Sequence, residues 1–175
     1  STLHNDGELE ETLNIMRDKG LTYEKDGALW YKNKEVLAAK LREQGKSEEE
    51  IERLELKDEV LIRTNGNPTY FAADIAYHRN KLQIRGFDKA IDVWGADHHG
   101  HVARMKGALD AIGCNGDDLD IILMQLVRLT RDGEVVRMSK RSGKAITLVD
   151  LLEEIPIDAV RFLFNMREPG SQMDF

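Results

Sequence analysis

Apolar residues in the first part of the chain recur first at helical and then at strand-like spacing. Residues 7–19 carry apolar side chains at helical intervals and predict a helix. Residues 21–31 predict two short strands joined at a Lys-Asp-Gly turn, as in a β-hairpin. Residues 35–56 predict two further helices, the second opened by Ser47 as N-cap with Glu50 completing a capping box. We expect the 35–56 segment to be an exposed helical insertion.

Beyond about residue 85 the pattern changes to an alternation of strands and helices. A short apolar run at 90–94 suits a buried parallel strand, and a helix is predicted at about 99–111. The next strand is predicted at 119–127, followed by a hairpin turn at 131–134. This alternation predicts an α/β core, in which ligands bind at the carboxyl ends of the strands.

Two helices are predicted near the end of the chain. Thr147 is placed as an N-cap with Asp150 in the capping-box position, and Pro156 lies near the first turn of the second helix. Their apolar residues are expected to form a core beneath the preceding basic segment: Leu148, Leu151, Leu152, Val160, Leu163 and Phe164.

Composition narrows the class of protein. The 175 residues are 41% apolar and 33% charged, which is ordinary for a globular domain with one core. The longest apolar run, 121–127, is far below the roughly 20 residues that a bilayer requires. One cysteine excludes an internal disulfide and suits a reducing compartment. We therefore expect a cytoplasmic protein with no membrane partner.

The formal net charge of −7 argues against general binding to DNA or other nucleic acids, because affinity for a polyanion depends on Lys and Arg. Residues 128–144 nevertheless carry six Lys or Arg against two acids. Any contact with a nucleic acid is therefore expected to be local.

The segment 135–144 places four cations and two hydroxyls directly after a predicted strand. Such a loop can close over phosphate groups, although an isolated basic loop is more often a solvated surface. Upstream, the segment 92–101 is a strand end with a glycine, an acid and three histidines. Asp97 can accept hydrogen bonds from ribose hydroxyls or cap the following helix. Binding of zinc by these histidines is disfavoured, because no cysteine lies nearby to serve as a further ligand.

The helix predicted at about 69–83 carries a second candidate site. Tyr70 and Asp74 are four residues apart and share a face. A carboxylate beside a phenol can bind a guanidinium, because the carboxylate accepts hydrogen bonds from the paired N–H donors of the guanidinium. The alternative is that Tyr70 is half-buried packing and Asp74 pairs with Arg79 or His78.

Together these segments resemble the catalytic domain of class I aminoacyl-tRNA synthetases, and within them the arginyl-tRNA synthetases. Residues 137–141, Arg-Met-Ser-Lys-Arg, are similar to the KMSKS signature and keep its central Met-Ser-Lys. Residues 95–101 resemble the Gly-x-Asp segment that ends a core strand, and residues 69–78 resemble the arginine-recognising helix. The resemblance covers nearly the whole chain and is weakest at 37–57.

The resemblance implies roles for individual residues. The catalytic residues are expected to be Lys140, Arg137 and Ser139. The ATP-binding residues are expected to be Gly95, Asp97, His98, Met138 and Arg141. The arginine-binding residues are expected to be Tyr70, Asp74 and His98. Mg²⁺ would accompany ATP without a protein ligand being assigned to it.

The implied fold is α/β: the second half of a Rossmann-like catalytic domain with parallel strands, preceded by a smaller α+β insertion region. The expected divisions are an insertion region with the arginine-recognition helix at 1–85, the nucleotide-binding core with the KMSKS-like loop at 86–146, and a helical linker toward a tRNA-binding domain at 147–175.

The implied activity is ATP-dependent formation of arginyl-adenylate from L-arginine, followed by transfer to the 3′-terminal adenosine of tRNA(Arg). The family's first-strand His-x-Gly-His signature is expected far upstream of the lysine-rich loop. Residues 98–101 match the His-x-Gly-His pattern, but they lie in the segment that already resembles the family's later Gly-x-Asp strand end. We therefore expect a part of a longer enzyme that is inactive alone. The alternative is a stand-alone nucleotide-binding or regulatory module without ligase activity.

Overall fold

The computed structural model describes residues 7–131, 133–136 and 146–175. It divides into two compact units. The first comprises residues up to Asp92 together with Gly100–Ile121, and the second comprises Val93–His99 together with Ile122–Phe175. Within the described ranges, no helix is long and apolar enough to cross a membrane.

The first unit begins with a helix and an antiparallel sheet. Helix α1 spans Glu8–Asp18, and strands β1 (Thr22–Lys25), β2 (Ala28–Tyr31) and β3 (Glu59–Ile62) form the three-stranded sheet in that order. Asp26 and Gly27 join β1 to β2 with φ angles of 53° and 72°, as a tight hairpin turn requires. The predicted hairpin is confirmed.

Two helices lie between β2 and β3, α2 (Asn33–Glu43) and α3 (Glu48–Arg53). The Ser47 capping box on α3 is confirmed, with Glu50 bonding back to the Ser47 backbone. The segment is less exposed than predicted, because Leu37 and Ile51 are buried. Leu37 packs so closely on Gly107 that a Cβ there would lie 2.8 Å from its side chain.

Helix α4 spans Tyr70–Arg79 and continues as one π-helical turn over Asn80–Ile84. Its first turn is held to β3 by Thr69, whose hydroxyl donates to the Val60 carbonyl and accepts from the Ala72 N–H. The predicted 69–83 helix is therefore present, with a changed geometry in its last turn.

The first unit also contains helix α5, His99–Ile112, of which Gly100–Ile112 belongs to this unit. Its core is built from side chains of α1, the sheet, α4 and α5. The largest fully buried side chains are Tyr31, Met16, Leu61, Ile75, Met105, Leu109, Leu119 and Thr12.

Strands β4 (Ala90–Gly95) and β5 (Leu119–Met124) form a two-stranded sheet. The prediction that 90–94 is wholly buried is wrong, since Ile91 and Val93 are 62% and 60% exposed. Alternate side chains of a strand face opposite sides. Among the described residues, only one of those sides is covered.

The predicted 119–127 strand is also too long. It ends at Met124, and a separate strand β6 (Val127–Arg128) pairs in parallel with β9 (Met173–Asp174). Strands β7 (Thr130–Arg131) and β8 (Glu134–Val135) form the predicted antiparallel hairpin.

The second unit also contains helices α6 (Leu148–Glu154) and α7 (Ile157–Asn165), which precede β9. The Thr147–Asp150 capping box is confirmed. The predicted core of these helices is wrong: only Val160 is buried, while Leu148 is 62% exposed. Part of the apolar surface of these helices is covered nevertheless, since the Phe164 ring packs against Phe175 with 5.5 Å between ring centroids.

Candidate functional site

Tyr70 and Asp74 lie on the exposed face of α4. Thr69 caps the helix, so Tyr70 is its first residue and its side chain extends into solvent with 86% exposure. The Asp74 side chain is 47% exposed one turn later. Tyr70 also borders an open cleft of about 350 Å³ that Arg63 helps to line. A carboxylate and a phenol are thus exposed one turn apart on the helix, and the carboxylate is a group that can pair with a guanidinium.

The structure does not have the alternative arrangement, in which Tyr70 is half-buried and Asp74 pairs with Arg79 or His78. Tyr70 is not half-buried, and the side chains of Arg79 and His78 bind elsewhere. Arg79 donates to the Glu11 carboxylate at 2.9 Å, while His78 Nδ1 contacts the Asp74 carbonyl oxygen rather than its carboxylate. The Asp74 carboxylate is therefore not paired with either of these two side chains.

Beneath Asp74 lies a chain of polar contacts between α5 and β3. His101 Nε2 is 3.9 Å from Asp74 Oδ2, and Arg104 Nε donates to His101 Nδ1 at 2.5 Å. Arg104 also donates to Glu59 Oε1. The Phe71 ring packs against His101 edge-on, with 5.4 Å between ring centroids. The His101 side chain is only 14% exposed.

A second cluster ties α4 and its π-helical turn to β4. Asp92 accepts from His78 Nε2 at 2.6 Å and from Lys81 Nζ at 2.7 Å, and the three side chains are 15%, 3% and 16% exposed. Burial disfavours the charged carboxyl, but the hydrogen bonds from Lys81 and His78 outweigh it and lower the pKa of Asp92. These contacts of Asp92 hold α4 and its π-helical turn against β4.

In the second unit, β4 ends at Gly95 and passes through a 3-10 turn, Ala96–His98. The Asp97 carboxylate folds back over the strand end, where a Cβ on Gly95 would lie 2.5 Å from Asp97 Oδ1. The space for this carboxylate exists because residue 95 is a glycine.

Asp97 lies inside the 3-10 turn, so it is not the N-cap that was its alternative role. His98 Nε2 is 3.8 Å from Asp97 Oδ2. The His98 ring packs edge-on against the Trp94 ring. The side chains of Asp97 and His98 are 77% and 62% exposed, which leaves both available to a ligand. Within the described part of the chain, no three His, Cys, Asp or Glu side chains form a metal-binding group.

The candidate residues of the basic loop lie outside the described residues: Arg137, Met138, Ser139, Lys140 and Arg141. The chain is described up to Val136, whose N–H donates to the Leu129 carbonyl, and again from Ile146. Of the other candidates, Tyr70 and Asp74 belong to the first unit, while Gly95, Asp97 and His98 belong to the second.

Sequence reasoning missed Arg104 and Glu59. Arg104 follows His101 by three residues on a helix, a spacing that places both on one face and could have been noticed. Glu59 gives no such signal, because it lies 45 residues from Arg104 and meets it only through the fold.

A family model described as tRNA synthetases class I (R), catalytic domain, matches residues 1–169. The chain therefore belongs to this family of class I tRNA synthetases. It is 54% identical over 174 residues to an arginine–tRNA ligase of Ruminiclostridium cellulolyticum, and 54% identical over 173 residues to that of Desulforamulus reducens. Each alignment covers 99% of this chain and 28% of the relative, so the chain spans little more than a quarter of these proteins. The resemblance to arginyl-tRNA synthetases is confirmed.

Solved structures agree with the α/β assignment. The structure of an arginyl-tRNA synthetase from Campylobacter jejuni matches with a TM-score of 0.73 and 36% identity, covering 95% of this chain and 32% of that one. The arginyl-tRNA synthetase of Thermus thermophilus matches with a TM-score of 0.70 over 97% of this chain and 35% of that one, at 20% identity, and supports the fold alone. The predicted fold class, part of a class I catalytic domain, is confirmed.

Proposed function

We propose that the protein to which this chain belongs is an arginine–tRNA ligase. It activates L-arginine with ATP to arginyl-adenylate and transfers the arginyl group to the 3′-terminal adenosine of tRNA(Arg). The proposal rests chiefly on the Asp74 carboxylate, which stands half-exposed beside Tyr70 on one helix face and is not paired with Arg79 or His78. We place this activity in the cytoplasm.

In this proposal Tyr70, Asp74 and His98 bind arginine. The Asp74 carboxylate accepts the paired N–H donors of the substrate guanidinium, and the exposed Tyr70 ring contacts the same substrate. Family membership and the α4 geometry support these two assignments. His98 is assigned from the resemblance and from its exposure at the end of the strand.

ATP is proposed to bind at the β4 end and under the basic loop. Asp97, with its carboxylate close over Gly95, accepts from ribose hydroxyls, and His98 contributes a polar contact. Met138 and Arg141 complete the ATP site from the loop. Mg²⁺ accompanies the ATP phosphates, and we assign it no side chain among the described residues.

The chemical step is proposed to depend on Lys140, with Arg137 and Ser139. Attack of the arginine carboxylate on the α-phosphorus builds negative charge on the α-phosphate and the departing pyrophosphate. A cation that meets this charge in the transition state lowers the barrier more than it stabilises bound ATP. The 175-residue chain alone is expected to be inactive, because the family's His-x-Gly-His half is not in it.

The first test is charging of total tRNA by the full-length protein with each standard amino acid in turn, beside the same assay on the 175-residue chain. We expect arginine alone to be charged, and only by the full-length protein. ATP binding by the full-length protein without charging of any amino acid would favour a nucleotide-binding module and reject the ligase.

The arginine site is tested by two matched substitutions in the full-length protein. Asp74→Asn is expected to raise the KM for arginine far more than the KM for ATP, because only the guanidinium contact is lost. Asp97→Asn, the same chemical change in the proposed ATP site, is expected to do the reverse. Equal effects of Asp74→Asn on both substrates would contradict an arginine pocket at this helix.

Lys140→Ala is expected to lower kcat by roughly two orders of magnitude or more, equivalent to about 3 kcal/mol of transition-state stabilisation. Single-turnover measurement of adenylate formation separates this effect from binding. A change confined to the KM for ATP would make Lys140 a binding residue only.

A further inference from the structure

We propose that His101 and Arg104 are positioning residues of the arginine site, which orient the Asp74 carboxylate without neutralising it. The proposal rests on the assignment of Asp74 as the arginine-binding carboxylate. It is drawn from a continuous line of contacts within the first unit, running from Asp74 through His101 and Arg104 to Glu59.

The contacts define which nitrogen of His101 carries the proton. Arg104 Nε lies 2.5 Å from His101 Nδ1, and a guanidinium can only donate hydrogen bonds. His101 Nδ1 must therefore accept, and the ring proton lies on Nε2. That nitrogen is the one that faces Asp74 Oδ2 at 3.9 Å.

The imidazole is held in place from three elements. Glu59 on β3 binds Arg104, and Phe71 on α4 packs edge-on against the His101 ring with 69° between the planes. The Arg104 guanidinium also lies 5.9 Å from the Phe71 ring centre. Side-chain exposures of 14% for His101 and 33% for Arg104 restrict other orientations.

The charge balance explains why such a line suits a cationic substrate. Glu59 offsets the charge of Arg104, and the accepting Nδ1 keeps His101 neutral. The Asp74 charge is consequently left for the substrate guanidinium, while a neutral N–H directs one carboxylate oxygen. The distance of 3.9 Å exceeds a direct hydrogen bond, and a small rotation of the half-exposed Asp74 side chain closes it.

A pair of substitutions at one position isolates this role in the full-length protein. His101→Gln keeps an N–H donor near the position of Nε2, whereas His101→Asn keeps an acceptor near Nδ1 and loses the donor toward Asp74. We expect His101→Asn to raise the KM for arginine by roughly five- to tenfold with little change in the KM for ATP. His101→Gln is expected to stay within about twofold of wild type.

A merely structural role predicts a different result. Both variants would then lose thermal stability alike, and the KM values for arginine and ATP would change together. That outcome would overturn the proposal.

A double-mutant cycle separates this inference from the proposed function. If His101 acts through Asp74, His101→Asn should have no further effect on the arginine KM once Asp74→Asn is present. An arginine KM that rises with Asp74→Asn but not with His101→Asn would overturn the positioning role and leave the ligase proposal intact. No effect of Asp74→Asn itself would overturn both the positioning role of His101 and the assignment of Asp74 to the arginine site.

If His101→Asn fails to fold, Arg104→Lys tests the same contacts between Asp74, His101 and Arg104. Lysine can still pair with Glu59 at the surface but has no Nε donor for His101. We expect a rise of about threefold in the arginine KM, again without a matching change for ATP. An unchanged arginine KM in a folded Arg104→Lys protein would overturn the proposal.

Discussion

Replacing Asp92 with asparagine should weaken the first unit substantially, because Asp92 is the shared acceptor of two buried side-chain donors. His78 and Lys81 donate to its two oxygens at 2.6 and 2.7 Å, and the three side chains are 3% to 16% exposed. His78 Nδ1 also lies 2.7 Å from the Asp74 carbonyl oxygen, so the ring is held at both nitrogens. Asparagine offers one acceptor oxygen and no charge, which leaves one donor without a partner.

The expected cost is about 2–3 kcal/mol. Removing one partner of a fully buried ion pair costs about 3–5 kcal/mol, and the remaining acceptor and partial exposure place this site below that range. Asp120→Asn is the matched control, since Asp120 also pairs with a lysine, Lys89, at 2.8 Å but with both side chains about half exposed. Its effect should be too small to resolve.

Urea unfolding followed by tryptophan fluorescence measures the difference. The two tryptophans lie in different units, Trp30 in the first and Trp94 in the second. In a Trp94→Phe background, Trp30 alone reports the unit that contains Asp92. A lower midpoint with an unchanged m-value shows a loss of stability.

The pH dependence supplies an independent check. The pKa of Asp92 is lowered in the folded chain, so its stabilisation is fully present above the unfolded-state value of about 3.9 and is lost as the pH falls through the lower folded-state value. The gap between wild type and Asp92→Asn should shrink below about pH 4, as the Asp92 carboxyl becomes protonated. Two results would refute the buried ion pair. One is an Asp92→Asn variant as stable as Asp120→Asn, and the other is a stability difference between wild type and Asp92→Asn that does not change with pH.

Three further predictions concern helix α5 and the residues that follow it. Gly116→Ala should destabilise the first unit, because a Cβ there would lie 2.6 Å from the Lys106 carbonyl oxygen, a backbone atom that cannot swing away. Gly100→Ala, in helix α5 with open space around it, should instead raise stability by up to about 1 kcal/mol, and thermal melting of the two variants compares them. Burial raises the pKa of the Cys114 thiol, so iodoacetamide at pH 8 should label it only when urea unfolds the chain. Mass spectrometry detects the label, and rapid labelling without urea would contradict the burial of Cys114.

The candidate site was predictable where chemistry follows from spacing along one element. Tyr70 and Asp74 share a face because they are four residues apart on a helix, and the structure places both in solvent. Whether Asp74 was already paired could not be read from that spacing. His78 and Arg79 are equally near in sequence, and their side chains bind Asp92 and Glu11 instead.

The local elements follow from the amino-acid sequence alone: the capping boxes at Ser47 and Thr147, the hairpin at Asp26, and the motifs that mark the family. These depend on backbone conformation and on hydrogen bonds within a few residues, so neighbouring residues suffice to specify them. Tertiary structure alone decided the exposure of Leu148 and the meeting of Arg104 with Glu59. Burial and long-range ion pairs depend on which surfaces the folded chain brings together, and no local pattern contains that information.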